Sequence, residues 1–273
     1  MPEEQPSHAD ESTYLREKQY GDASNLNARQ ALHRRFSTNH ADWFRWVFDR
    51  FDFPATAALL ELGTGPADLW QRNLDRLPPG WSITLSDFSA GMLSSARATL
   101  GDAAPRFSFQ EIDAQQLPFP AASLDGVIAN HMLYHVPDRA RALAEIRRVL
   151  KPGGTLVAAT NSADNMRALH DLVARATGPI GADWSRVSSL PFTLENGAAQ
   201  LAVYFAHVQR VDREDALLVT EVEPLVAYVQ SAGMDASDDP DWAERFRAVV
   251  TQELARTGAL RINKGIGLFI AHK

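Results

Sequence analysis

AALLELGTGPADLW, residues 57–70, is the stretch whose reading decides the fold. A mostly apolar run ends at Glu61 and Leu62, and two glycines follow with one residue between them. Gly63 and Gly65 then sit between an expected strand and an expected helix. Without Cβ atoms the backbone there can turn tightly and lie against a ligand. The helix that follows points free N–H groups at the same place. Three ligands suit such a loop: a nucleoside triphosphate, a nicotinamide dinucleotide, or another adenosine-bearing molecule. No G-K-[ST] follows the glycines, so no lysine reaches a triphosphate. The nicotinamide reading puts Asp68 where the third glycine of G-x-G-x-x-G packs the helix beside a pyrophosphate. A carboxylate there faces the pyrophosphate's charge, and an adenosine ligand without phosphate removes the conflict. A bare G-x-G also serves as a plain strand–helix turn.

Strand and helix signals alternate outward from this loop. Strands are expected at 57–62, 81–87, 107–113, 123–130 and 155–161. Helices are expected at 66–77, 89–100 and 137–150. Ser89 is the N-cap of the second, and Gly101 lies just past its end. Pro152-Gly153-Gly154 closes the last connection. This order argues for an α/β fold with a parallel sheet covered on both faces.

Later segments change character. Residues 163–200 read as helices with an irregular SSLP break, and HVQRVD and ALLVT (207–220) as strands. Helices are expected at 221–233 and 239–258, and RINKGIGLFIAHK as a closing strand. Ahead of the first strand, Leu26, Leu32, Phe36, Trp43, Phe44, Val47 and Phe48 recur at roughly helical spacing. The expected organisation is a disordered tail at 1–12, a helical N-terminal lid at 13–53 and a main domain at 54–273. A cap insertion is expected at about 163–205. The 13–53 helices suit equally a plain cover for one sheet face.

Composition narrows the function. Hydrophobic residues make up 45% of the 273, enough for a sizeable core. The formal net charge of −7, with no basic run, disfavours nucleic-acid partners. The absence of cysteine excludes disulfides, thiolate metal sites and a cysteine nucleophile. The start, MPEEQPSHADES, is unlike a signal peptide, and no apolar run approaches the roughly 18 residues that span a bilayer. A cytoplasmic protein with no membrane partner is expected, as monomer or homodimer. No His/Asp/Glu spacing resembles a metal site, and no G-x-S-x-G is present.

Two carboxylates join the glycine loop. Asp87 ends the second strand, where a carboxylate can accept hydrogen bonds from ribose hydroxyls; it can also simply be an acid at a helix N-terminus. Phe88 follows and can lie against an adenine face. Asp113, at the end of the third strand, can accept from an adenine amino group. All of these fall at the C-terminal edge of the sheet, where ligands of open α/β sheets bind.

The order ELGTGPAD, LSDFSAGMLSSAR, then QEIDAQQLPFPAASLDGVIANHMLYHVPDRARALAEIRRVLKPGGTLVAATN resembles the class I S-adenosylmethionine-dependent methyltransferases over roughly 57–161. That resemblance implies a Rossmann-like sheet, mostly parallel with an antiparallel final strand, and S-adenosylmethionine as cofactor. It implies that Glu61, Gly63 and Gly65 surround the methionine part and that Asp87 holds the ribose. Phe88, Asp113 and Ala114 would border the adenine, and Asn130 would lie near the sulfonium. Ala67 departs from the family's frequent third glycine. The segment REKQYGDASNLNARQALHRRFSTN resembles lids of small-molecule members, with Tyr20 as the residue to test for cofactor contact.

The cofactor's methyl group arrives activated, so the enzyme must mainly align a nucleophile and exclude water. A general base matters only for a protonated acceptor. His131, His135 and His33 are the candidates, with His131 first because it follows Asn130. His135 also suits a packing role before a helix, and His33 a surface role. The acceptor is expected to be a small apolar or aromatic molecule roofed by residues such as Trp43, Phe44, Trp184, Phe192, Tyr204 and Phe205, which suit a plain core equally. O- or N-methylation by in-line attack is the default, and C-methylation fits as well. The alternative is a non-methylating enzyme of the same fold, a cyclase or rearrangement catalyst that keeps the cofactor bound. A nicotinamide oxidoreductase is disfavoured by Asp68, and a protein that has lost binding by the intact Gly63, Gly65, Asp87 and Asp113.

Overall fold

A computed structural model describes residues 24–178, 191–232 and 239–273, and the side chains of 24–29 are not part of that description. The expected tail at 1–12, Tyr20, Trp184, Gly233 and the Leu26 side chain therefore lie outside the described residues.

Seven strands form one sheet in the order β3-β2-β1-β4-β5-β7-β6. They are β1 (Thr56–Leu62), β2 (Gly80–Asp87), β3 (Phe107–Glu111), β4 (Leu124–Asn130), β5 (Leu150–Asn161), β6 (His207–Val219) and β7 (Leu260–His272). Strands β1 to β5 pair in parallel, and β7 runs antiparallel to both β5 and β6. The mostly parallel sheet with an antiparallel last strand is what the sequence led us to expect. Around it lie α1 (Ser24–Phe36), α2 (Trp43–Phe48), α3 (Asp68–Gln71), α4 (Ala90–Leu100), α5 (Arg139–Val149), α6 (Arg167–Thr177), α7 (Gly197–Ala202), α8 (Glu223–Ser231) and α9 (Trp242–Thr257). No helix among the described residues is long and apolar enough to cross a membrane.

The central strands are apolar throughout because both their faces are covered. On β4, Val127 and Ala129 pack with Leu143, Ile146 and Phe269 on one side. Ile128 packs with Val47, Trp70 and Leu85 on the other. A third cluster sits where β6 and β7 extend past the rest of the sheet. There Leu217 and Ile262 meet Leu32, Phe36, Leu169, Leu225 and Phe246 from α1, α6, α8 and α9. This cluster holds α1 over the C-terminal edge of the sheet. The link after α1 is sewn to β6, with Thr38 N donating to the Ala216 carbonyl at 2.8 Å and Ser37 bridging Leu217.

Several expected elements are corrected. The helix expected at 66–77 is only α3 plus a 3-10 turn at Leu74–Arg76. The Asn73 amide is the reason: its Nδ2 donates to the Leu69 and Phe44 carbonyls at 2.7 and 3.2 Å and competes with the helix ladder. Strand β3 stops at Glu111, because Asp113 turns the chain by accepting from Gln115 N at 2.9 Å. Strand β5 begins at Leu150, before the KPGG turn, with a register shift opposite Leu124–Gly126. The two strands expected within 207–220 are one thirteen-residue strand, paired along its length with β7. Within 13–53 the helical pattern breaks at 37–42, and Asp42 caps α2 through Phe44 N and Arg45 N. Phe192 and Phe205 are core residues, with Tyr204 packed against them, and do not roof a ligand.

One ion pair positions the loop after β3. The Arg148 guanidinium donates to the Leu117 and Phe119 carbonyls at 2.9 and 2.8 Å. Its partner Glu145 accepts from Leu117 N at 2.9 Å. This i, i+3 pair on α5 thus holds the Leu117-Pro118-Phe119 turn behind Asp113. Arg148→Met should cost about 1 kcal/mol, since the donors lost are charged but partly solvated. The checks are denaturant unfolding and faster amide exchange confined to the 117–123 loop; unchanged exchange there would remove the clamp from the account.

Candidate active site

The loops at the C-terminal ends of β1, β2 and β4 open into one cavity of about 650 Å³. Its place follows from topology. The strand order reverses between β1 and β4, so successive connections leave on opposite sides and a crevice remains between them.

The glycine loop is held from below by Glu61, which is 1% exposed. Thr64 Oγ1 and Trp70 Nε1 both donate to Glu61 Oε2 at 2.6 Å. Among the described residues Oε1 receives only Asn130 Nδ2, at 3.5 Å. Burial pushes this carboxyl up to about 7, against the three hydrogen bonds that pull it down. Asn130 Oδ1 is also buried and has no partner among the described residues. Two under-used acceptors therefore meet where β1 and β4 end, an arrangement suited to an ammonium group.

The loop backbone is shaped for close approach. Gly63 and Gly65 have φ of 66° and 54°. A Cβ at Gly63 would lie 2.8 Å from Met132 Cβ, so the position excludes any side chain. Ala67 also takes a left-handed φ, 64°, which is why a glycine would be at home there. The Asp87 carboxylate accepts from Gly65 N at 3.0 Å and from Ser89 N at 2.9 Å, tying the loop to β2. Burial raises its pKa, opposed by these backbone donors. Asp68 faces the cavity and accepts from Gln30 Nε2 of α1 at 2.9 Å, so it holds a covering helix.

Further along, Phe88 is 42% exposed, and Ala114 is buried beside it in the lining. Both oxygens of Asp113 also receive Gln115 Nε2, at 3.0 and 3.1 Å. His131 follows Asn130 with φ 53°, an uncommon conformation for a non-glycine residue. Its ring packs against Trp43 at 5.4 Å. Burial, with the Lys264 and His135 charges adding, lowers its pKa to about 4, so it is a neutral imidazole at pH 7. His135 packs edge-on to Tyr134 at 4.5 Å, and its backbone N–H donates to the Met132 carbonyl. His33 meets the Tyr228 ring edge-on at 5.7 Å from the covering side.

Among the described residues, the cavity thus gathers every candidate named from sequence for cofactor binding or proton transfer. Among the described residues, no group of three His, Asp or Glu side chains is placed to hold a metal ion. Sequence reasoning missed Lys264, Arg213, Asn161 and Asn165, which line the far wall. The one available signal was charge inside strands that otherwise read as buried.

Residues 60–158 match the family model described as "Methyltransferase domain". The 27-O-demethylrifamycin SV methyltransferase of Amycolatopsis mediterranei is 31% identical over 225 residues, 78% of this chain and 71% of that protein. The chain belongs to the class I S-adenosylmethionine-dependent methyltransferases. S-adenosylmethionine is accordingly the cofactor of this methyltransferase. The ubiquinone/menaquinone biosynthesis C-methyltransferase UbiE of Hahella chejuensis is 34% identical over 120 residues, 43% of this chain and 48% of that protein, so the match spans about half its length. Among solved structures, Haemonchus contortus phosphoethanolamine N-methyltransferase 2 in complex with S-adenosyl-L-methionine shares the fold. Its TM-score is 0.58 at 17% identity, covering 100% of this chain and 61% of that one.

The buried groups make a pH prediction. Glu61 has a folded pKa above its unfolded value, so its contribution to stability falls as pH rises from 4.5 to about 7. His131 and His170, both lowered from 6.5 to about 4, act with the opposite sign and lose stability as pH falls through that window. Glu61→Gln removes one of the two raised carboxyls, the other being Asp87. Stability should then rise more steeply with pH in this range, by up to about 1.4 kcal/mol per pH unit. Denaturant unfolding at several pH values checks it, and parallel curves for the two proteins would mean that Glu61 is ionised throughout.

Proposed function

We propose that this methyltransferase moves a methyl group onto a small acceptor with an aromatic or conjugated body, by in-line attack inside this cavity. One observation carries the reading: a single cavity runs continuously from the glycine loop to the Trp43–His131 pair. A cofactor and a small acceptor can share it end to end, with water excluded. Relatives named for ubiquinone/menaquinone biosynthesis and for rifamycin SV support a small molecule as acceptor. O-, N- and C-methylation all fit this geometry.

Bound S-adenosylmethionine supplies a methyl group already activated on a sulfonium sulfur. The chain's own residues fit that group. Glu61 Oε1 and Asn130 Oδ1 would take the ammonium of the methionine part, for which both have spare acceptor capacity. Gly63 and Gly65 would let the backbone lie against that part. Asp87 would accept from the ribose hydroxyls with the lone pairs its backbone N–H donors leave open. Phe88, Asp113 and Ala114 would border the adenine.

His131 would take a proton from an acceptor that arrives protonated. Its neutral ring at pH 7 is ready to accept, although its low basicity makes it a weak base. His135 and His33 border the same space and are the next candidates. The helices α1 and α2, within the 13–53 segment, would act as the lid, and α6 and α7, within 163–205, as part of the cap.

Calorimetric titration with S-adenosylhomocysteine tests the cofactor half. Micromolar binding is expected, weakened at least tenfold, about 1.4 kcal/mol, by Asp87→Ala. Binding of NADH with no heat from S-adenosylhomocysteine would sink the assignment.

A further inference from the structure

Two buried cations line the cavity on the side away from the glycine loop. Lys264, on β7, has a side chain 7% exposed, and its partner Asp215 on β6 is fully buried. The two face each other across the strand pair. Asp215 is held independently of the lysine: Ser37 Oγ donates to it at 2.6–2.7 Å, Asn39 N at 3.1 Å and Ala216 N at 2.8 Å. The ammonium is therefore anchored to a fixed carboxylate.

Arg213 precedes Asp215 by two residues, so it projects from the same face of β6. It is 5% exposed. Its Nη2 donates to the Ala41 carbonyl, while its Nε is buried with no acceptor among the described residues. Its guanidinium lies 5.7 Å from the Trp43 ring, which in turn packs on His131. The charges acting on this pair are Asp215, Asp42 and Arg50. The Asp42 carboxylate already caps α2 and lies 3.9 Å from Arg72. Cations thus outnumber carboxylates in a desolvated wall. Such a surplus, with an unanswered guanidinium N–H, is costly until an anion meets it.

The cofactor's own carboxylate is poorly placed to be that anion. Strand β7 lies three strand spacings from β1, about 14 Å away across the sheet. Glu61, Gly63 and Asp87 are at the other end of the cavity. Asn165 Oδ1, also in the lining, is buried without a partner among the described residues and calls for a hydroxyl or N–H donor.

We propose that Lys264 and Arg213 form an anion-holding subsite for the methyl acceptor. It takes a planar acceptor that carries an anionic oxygen, a carboxylate or a phenolate, with its ring against Trp43 and His131. The same charges repel alkylammonium acceptors, so the subsite selects against amine methylation. This rests on the reading of the cavity as a joint cofactor and acceptor site.

The test is calorimetry on the full chain saturated with S-adenosylhomocysteine. One arm compares 1-hydroxy-2-naphthoate with its uncharged amide. The other compares 4-nitrophenol, above its pKa, with 4-nitroanisole. In at least one arm the anion should bind tenfold or more tighter than its uncharged partner, and the arm that responds identifies the oxygen. The cation 1-naphthylmethylammonium should not bind. Arg213→Met and the double variant Lys264→Met with Asp215→Asn, which leaves no unpaired buried carboxylate, should each reduce the preference to near equality. Their affinity for S-adenosylhomocysteine should stay within about twofold of wild type. Anions that bind no tighter than their uncharged partners overturn the proposal, as does a preference that survives in both variants. Loss of S-adenosylhomocysteine binding in the variants overturns it too, by assigning the cations to the cofactor. A wild type that binds no S-adenosylhomocysteine sinks the cofactor reading alone, and the anion preference is then read without it.

Discussion

A carboxylate buried at the end of the first strand is the constraint on which the site depends. Glu61 takes a hydroxyl from the loop, an indole N–H from the helix after it and an amide from the fourth strand. The loop and helix that follow β1 are thereby joined to the distant β4 at the point where the strand order reverses. Burial makes a carboxylate there costly to ionise. It becomes favourable to ionise when a cation arrives, so the group that shapes the loop also predisposes it to a positively charged ligand.

Charge divides the cavity into two ends. The glycine-loop end is acidic, with Glu61 and Asp87 both raised in pKa by burial. The far end carries Lys264 and Arg213, whose charged forms burial disfavours in turn. His131 lies between them and is held neutral partly by the lysine. An activated methyl cation equivalent and an electron-rich acceptor suit opposite ends of such a field. The covering helices keep this field strong by limiting water. Here α1 is fastened twice, by Gln30 to Asp68 beside the glycine loop and by Ser37 to Asp215 at the cationic end.

Two of the expectations that failed did so because of contacts distant in sequence. The 66–77 helix has a good amphipathic pattern, yet Asn73 uses its amide on the Leu69 and Phe44 carbonyls and ends the ladder. Phe192, Tyr204 and Phe205 have the composition of a pocket roof, yet they fill the core beneath α7. In each case the competing partner comes from tertiary contact, which periodicity does not report.

The alternating strands and helices, the glycine loop and the acids after β1, β2 and β3 were legible in the sequence alone, because each depends on local pattern and on short spacings. The glycines must be where the backbone turns, and Asp87 must follow its strand directly. Only the tertiary structure decided the cationic end of the cavity. Lys264 and Arg213 are 51 residues apart in sequence and read singly as ordinary strand charges. The antiparallel pairing of β6 with β7 sets Asp215 against Lys264, and the third hydrophobic cluster draws α1 over both. Burial of a charge is a property of what packs around it, and no local stretch of this sequence carries that information.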